Sequence, residues 1–335
     1  MGTSWQVQVV TLNAAALQST GEQIIGLLVR LDKRVFSTYA ADSELSRLNR
    51  TPVGEALPVS RELQEVMLLA RTVNRQSFGT FDVTVGSLVN LWGFGPDPVQ
   101  QVPSDEAVAA AMKRLGPDQY VVDVRAGTVK RSADITVDLS AIAKGYAVDR
   151  VAELLLEAGY VHFLVEIGGE VRANGWRAPK QSWNVAIETP IAGEVQQAFA
   201  MVDNLGEDIA LAGSGDYRNY FTRDGRHYSH EISPLTGRPV DHALASVTVK
   251  AETVAEADAW ATAMMVLGPI DGPLLAERLG MAVYFIIRGN EGWEARYTPG
   301  FAPYLRTSSV LSGGAALEPA PGQNAVNETG LLQGE

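Results

Sequence analysis

The chain has 335 residues, 46% hydrophobic and 20% charged, an ordinary balance for a globular protein of one large domain or two smaller ones. Lys plus Arg number 27 against 39 Asp plus Glu, and a net charge of −12 argues against a broad nucleic-acid or anionic-membrane surface. There is no cysteine, which excludes disulfides, zinc–thiolate sites and thiol nucleophiles. No uninterrupted apolar run approaches the roughly 18 residues of a membrane helix.

From the start, "WQVQVVTLN" alternates as a half-buried strand, and "QIIGLLVRLDKRV" takes helical spacing. Ser60 is placed to cap a helix carrying Leu63, Val66, Met67 and Leu69, with Gly79 past its end. "GTFDVTVGSLVNLWGFGPDP" is glycine-rich and apolar, and periodicity does not assign it. "SDEAVAAAMKRLG" predicts a helix with acids in its first turn and Gly116 as its stop. "YVVDVRAGTVKRS" predicts a hairpin around Ala126-Gly127.

In "VDLSAIAKGYAVDRV" a buried strand turns into an amphipathic helix, with Ser140 placed as its N-cap and the end near Gly159. Strand-like segments follow: "HFLVEIGGEVRANG", "WNVAIETP", "QAFAMVDN", "DIALAGSG" and "ASVTVKA". "TVAEADAWATAMMVLG" predicts a helix with a Thr253–Glu256 capping box and a stop at Gly268, and "MAVYFIIRG" a last strand. The strand-rich middle between helices predicts an α+β fold in one continuous domain over residues 1–310, with a disordered tail over 311–335.

Three places carry chemistry. At the corner, Asp138 would accept hydrogen bonds from a ligand, while the helix end and Lys144 would favour an anion; the plainer reading is a capped helix with a solvated lysine. Asp258 and Thr262, four apart, project from one face of a largely buried helix. A hard cation would satisfy both, and the alternative is a rim carboxylate with Thr262 bonded into its own helix. The third stretch, "LAGSGDYRNYFTRDGRHYSHEISPLTGRPV", has a Gly turn and two of the four histidines, His227 and His230. His230 is the better candidate for proton transfer or phosphate contact. Ser214 beside a histidine suggests a serine hydrolase, but "AGSGD" lacks the G-x-S-x-G spacing. "EIGGEVRANG" and "GFGP" do not fit a dinucleotide fingerprint, and no P-loop is present.

Seven segments in order, "FSTYAADSELSRLN", "GTFDVTVGSLVNLWGFGP", "VDLSAIAKGYAVD", "FLVEIGGEVRANG", "LAGSGDYRNYF", "HEISPLTGRPV" and "TVAEADAWATAMMVLG", resemble the ApbE family of FAD:protein FMN transferases. The resemblance covers residues 1 to about 310. It implies a T-fold-related α+β domain of mixed and antiparallel sheets with packed helices. It also implies Mg²⁺-dependent transfer of FMN from FAD to a Thr or Ser hydroxyl of an acceptor protein, with AMP leaving. Acceptors would be subunits of respiratory sodium- or proton-translocating complexes and related electron-transfer proteins. By position, the resemblance assigns Ala141 (through its carbonyl), Asp258 and Thr262 to the metal. It assigns Phe36, Thr80, Phe81, Asp82, Asp138, Lys144 and Ile232 to FAD, and His230 with Lys144 to catalysis. Ser233 stands where the family often has Asp, with Glu231 a loose substitute, and Phe36 stands where many relatives have Met. No lipoprotein leader or its cysteine is present; the start resembles that of a mature domain. The resemblance therefore implies a lipid-anchored protein on the periplasmic side of the inner membrane, its leader removed. An FAD pyrophosphatase with nearly the same residues, and a non-catalytic FAD-binding protein, are the competing readings.

Overall fold

The computed structural model describes residues 2–12, 14–96, 102–191, 197–217, 219–223, 225–306 and 314–316. Its centre is an eight-stranded sheet in the order Trp5–Val9, Phe163–Ile167, Glu170–Asn174, Ile209–Gly215, Leu244–Ala251, Ala282–Gly289, Gly292–Tyr297 and Gly314–Ala316. All neighbours are antiparallel except the last pair, where 314–316 runs parallel to Gly292–Tyr297. This is the predicted α+β architecture of mixed and antiparallel sheets. Residues 314–316 fall within the tail expected to be disordered; the rest of 307–335 lies outside the described residues.

Seven α-helices accompany the described strands: α1 Ala14–Arg30, α2 Glu44–Arg50, α3 Arg61–Gln76, α4 Gly86–Leu91, α5 Asp105–Met112, α6 Ala143–Glu157 and α7 Val254–Arg278. Local signals predicted several ends correctly. Ser60 Oγ accepts the Leu63 amide at the head of α3, and Thr253 Oγ1 accepts that of Glu256 at the head of α7. Gly268 (φ 81°, ψ −171°) breaks α7 at the expected stop, before Pro269. By length and composition α7 could span a membrane, yet its apolar surface is the core of this fold.

The alternating strands bury one face of the sheet against α6 and α7, in a core that includes Val148, Val151, Val165, Val247, Trp260, Met264 and Phe285. The opposite face packs a second cluster around Trp183, Tyr284, Ile286 and Phe301, under a separate hairpin of Asn184–Glu188 and Ala198–Asp203. The unassigned glycine-rich segment forms a buried loop at 80–85 followed by α4. Leu88 and Trp92 pack there with Phe221 and Ile232, and Trp92 Nε1 donates to the Gly237 carbonyl (2.8 Å).

The heads of α6 and α7 are locked together reciprocally. Asp149 of α6 accepts the amides of Val254 (3.0 Å) and Ala255 (2.9 Å), while Asp258 of α7 accepts that of Gly145 (3.0 Å). Each carboxylate thereby caps the other helix, favoured by that helix's dipole. A Cβ on Gly145 would lie 2.3 Å from the Val254 carbonyl oxygen, so the approach requires glycine there.

Candidate active site

The site forms where this helix junction meets the strand-to-helix corner. The corner differs from the predicted cap. Helix α6 begins at Ala143 with Ile142 as its cap residue and no side-chain cap, and exposed Ser140 is not the N-cap. The hydroxyl and amide of Ser140 instead donate to Asp138 Oδ1, closing a local turn. The helix amides are correspondingly less available than predicted: Ile142 and Ala143 donate to the Leu139 carbonyl and Gly145 donates to Asp258.

Diverting the Gly145 amide has a second effect. In a regular helix it would bond the Ala141 carbonyl four residues back. Among the described residues no donor reaches that carbonyl, so an oxygen with lone pairs to offer is left at the junction. Asp258 is 2% exposed. One turn on, Thr262 Oγ1 lies 3.1 Å from Ser214 Oγ on the central strand. One carbonyl, one carboxylate and one hydroxyl make a hard-oxygen set suited to Mg²⁺, which takes few protein ligands and keeps waters or phosphates. The residues present therefore fit the metal that the resemblance implies. Among the described residues no group of three or more His, Asp or Glu is arranged to hold a metal ion, so such a metal would rely on this mixed set.

Lys144 is not the solvated lysine of the plain reading. Its side chain is 27% exposed and its Nζ lies 2.7 Å from Glu170 Oε1 and 3.6 Å from Asp258 Oδ1. Burial alone would lower its pKa, but the two carboxylates more than reverse this and hold the ammonium charged. Glu170 is 1% exposed, and its Oε2 has no hydrogen-bond partner among the described residues. Burial, then the Asp258 charge, push its pKa upward against the pull of Lys144. Sequence reasoning passed over Glu170, which follows the Gly168-Gly169 turn and was read only as a strand residue.

Of the residues that the resemblance assigns to FAD, Thr80, Phe81 and Asp82 lie on a loop bonded to the corner, while Phe36 and Ile232 pack elsewhere, against Tyr146 and in the Trp92 cluster. The 80–86 loop runs beside it, with the Asp138 amide donating to the Val83 carbonyl (2.8 Å) and the Gly86 amide to that of Thr136 (3.0 Å). Thr80, Phe81 and Asp82 are buried. Thr80 Oγ1 donates to the Ser77 carbonyl, the Phe81 carbonyl accepts from Asn74, and Asp82 Oδ1 accepts the Thr84 amide and hydroxyl. Burial raises the Asp82 pKa despite those bonds. Buried Phe36 meets Tyr146 of α6 edge-on at 5.6 Å, and Ile232 is buried in the Trp92 cluster.

His230 lies between the short strands Arg226–Ser229 and Ile232–Ser233. Its Nδ1 and its backbone amide both meet the Asn219 carbonyl, at 2.9 and 3.1 Å. A carbonyl only accepts, so Nδ1 carries the proton and Nε2 is the basic nitrogen. Nε2 lies 3.8 Å from Glu231 Oε1. Glu231 is buried, which raises its pKa, and the charges of His230, Lys144 and Asp258 all act on it. Glu231 thus lies within electrostatic reach of both His230 and the α6–α7 junction. His227 is exposed against Tyr220, with ring centroids 4.0 Å apart. Among the described residues Ser214 bonds Thr262 and no histidine, which removes the basis for a hydrolase triad.

A family model described as the ApbE family matches residues 1–285. The FAD:protein FMN transferase of Salmonella typhimurium is 39% identical over 313 residues, covering 91% of this chain and 87% of that protein. That of Haemophilus influenzae is 39% identical over 317 residues, covering 92% and 90%. Among solved structures, the apo form of Pseudomonas stutzeri flavinyl transferase ApbE superposes with a TM-score of 0.81 at 36% identity, covering 91% of this chain and 94% of that one. The flavin transferase ApbE from Vibrio cholerae gives 0.81 at 36% identity, covering 91% and 96%. With a family model over residues 1–285, relatives 39% identical over nine-tenths of the chain and a matching fold, the chain belongs to the ApbE family.

Proposed function

We propose that this protein transfers FMN from FAD to a threonine or serine hydroxyl of an acceptor protein. The observation that carries this reading is the α6–α7 junction, where Asp258 takes the Gly145 amide and so frees the Ala141 carbonyl beside a charged lysine. Ala141, Asp258 and Thr262 would hold Mg²⁺, which when bound supplies neutralising charge to the diphosphate. Lys144 holds its ammonium where it can meet a phosphate oxygen, and the buried 80–86 loop and Phe36 supply walls for the flavin nucleotide. His230 Nε2, its tautomer set by the Asn219 carbonyl, accepts the proton of the acceptor hydroxyl as that oxygen bonds the phosphorus of the FMN half. The P–O bond to the AMP phosphate breaks and AMP leaves with the bonding pair.

Mass spectrometry of a purified respiratory-complex subunit, after incubation with FAD, Mg²⁺ and the enzyme, tests the reading. One added FMN on a single Thr or Ser is the expected result. Rapid release of FMN and AMP without labelling would favour the pyrophosphatase. By the same family reading, and on the sequence resemblance alone, the protein works on the periplasmic side of the inner membrane behind a lipid anchor. Fractionation of the native host, with recovery of the protein in the soluble cytoplasm, would reject that location.

A further inference from the structure

The central strand Ile209–Gly215 is flanked unequally. Leu244–Ala251 pairs with its residues 210–215, whereas Glu170–Asn174 pairs only with 209–211. Residues of an antiparallel strand direct their N–H and C=O groups alternately to the two sides. Two of the residues 212–215 therefore present theirs where the second neighbour has already turned away. Among the described residues no backbone hydrogen bond from outside the strands closes that edge. Across from it lies the Asn184–Glu188 strand, whose strand partner among the described residues is Ala198–Asp203. A cavity of about 220 Å³ lies between the two, lined by Gly169, Val185, Ile187, Leu211 and Gly213.

Two further features mark this edge. Gly213 is exposed although it lies in the central strand, and a Cβ there would meet nothing closer than the Val247 carbonyl oxygen at 3.3 Å. A side chain there would press on that backbone carbonyl and stand in the cleft, so glycine keeps the cleft open to an approaching backbone. The edge is also continuous with the active site, since Ser214, the next residue, bonds Thr262, one turn from Asp258. Donors and acceptors at peptide spacing match an extended polypeptide, and a flavin dinucleotide has no such repeat.

We propose that the open edge of residues 212–215 is the docking site of the acceptor protein, whose target segment adds as an extended strand and carries its hydroxyl past Ser214 to the phosphoryl site. This rests on the transferase reading above. The main-chain bonds would give affinity for extended segments in general, and the cavity would select the side chains beside the modified residue.

Hydrogen exchange tests the proposal on the intact protein. Adding a purified respiratory-complex acceptor subunit should slow exchange of amides within 212–215 and 185–188, and FAD with Mg²⁺ alone should not. A Gly213→Val variant, β-branched and suited to a strand, should raise the KM for that subunit by about tenfold or more. Its FAD affinity, read by flavin fluorescence, should stay within about twofold of wild type. Protection by FAD alone would give the cleft to the flavin and overturn the proposal. An unchanged acceptor KM in Gly213→Val, with the variant folded by circular dichroism, would overturn it as well. If wild type itself releases FMN and AMP without labelling the subunit, the transferase reading fails instead.

Discussion

Asp258 performs two tasks that substitution can separate. Its Oδ2 accepts the Gly145 amide at 3.0 Å, and its Oδ1 faces Lys144 at 3.6 Å on the side given to the metal. Asp258→Asn keeps an oxygen to accept the amide but loses the charge. Asp258→Ala loses both and strands a buried N–H of α6. An unsatisfied buried donor costs about 1–3 kcal/mol, and loss of a helix cap about 0.5–2 kcal/mol. These are one interaction seen twice, so the alanine variant should lose about 2–3 kcal/mol of stability and the asparagine variant about 1 kcal/mol or less. Urea melts extrapolated to zero denaturant measure both. FMN transfer at saturating Mg²⁺ should fall by roughly a hundredfold or more in either variant, because the charge opposite the cation is gone in both. An alanine variant as stable as wild type would refute the capping account. An asparagine variant with wild-type transfer would refute the metal assignment.

Gly145→Ala should be destabilised by about 1–3 kcal/mol, because its Cβ would overlap the Val254 carbonyl and wedge the helix heads apart; a melt indistinguishable from wild type would contradict the close approach. Ser140→Ala should change stability by less than about 0.5 kcal/mol, since the serine is exposed and caps no helix; a loss of a full cap's worth would restore the discarded N-cap. Ser214→Ala should retain flavin transfer, whereas abolition would revive a serine-nucleophile reading. Buried Tyr120 donates to the Met67 carbonyl, and burial pushes its pKa from 10.0 up to about 12. Its contribution to stability is therefore complete below pH 10 and is lost as pH rises from 10 to about 12. Two units amount to about 3 kcal/mol at most. The stability gap between wild type and Tyr120→Phe should accordingly shrink across that range, and a constant gap would show that the phenol does not titrate with folding.

The contrast between Ser60 and Ser140 shows what was legible. Both precede an apolar helical pattern, and Ser60 does cap α3, through an amide three residues away. Ser140 fails because a carboxylate two residues upstream claims its hydroxyl, and because the partner of the α6 amide is Asp258, 113 residues on. Helix starts at Ser60 and Thr253 and the break at Gly268 are short-range events, and short-range patterns found them. The 80–95 segment resisted because α4 is only Gly86–Leu91 and is held by Trp92, Phe221 and Ile232. The pair Asn184–Glu188 and Ala198–Asp203 alternates like the main-sheet strands, yet forms its own hairpin. A period of two gives a strand and a face without saying which sheet receives it.

The sequence by itself determined most element types and helix ends and the family resemblance, and it singled out Asp138, Lys144, His230, Asp258 and Thr262 as candidates, because side-chain chemistry and backbone preference are written within a few residues. Tertiary structure decided that Lys144 is paired and charged, that Glu170 belongs beside it, that Asp149 and Asp258 cap each other's helices, and that the central strand has an open edge. Those facts depend on groups brought together from distant positions, and burial and Coulomb interaction act through space rather than along the chain.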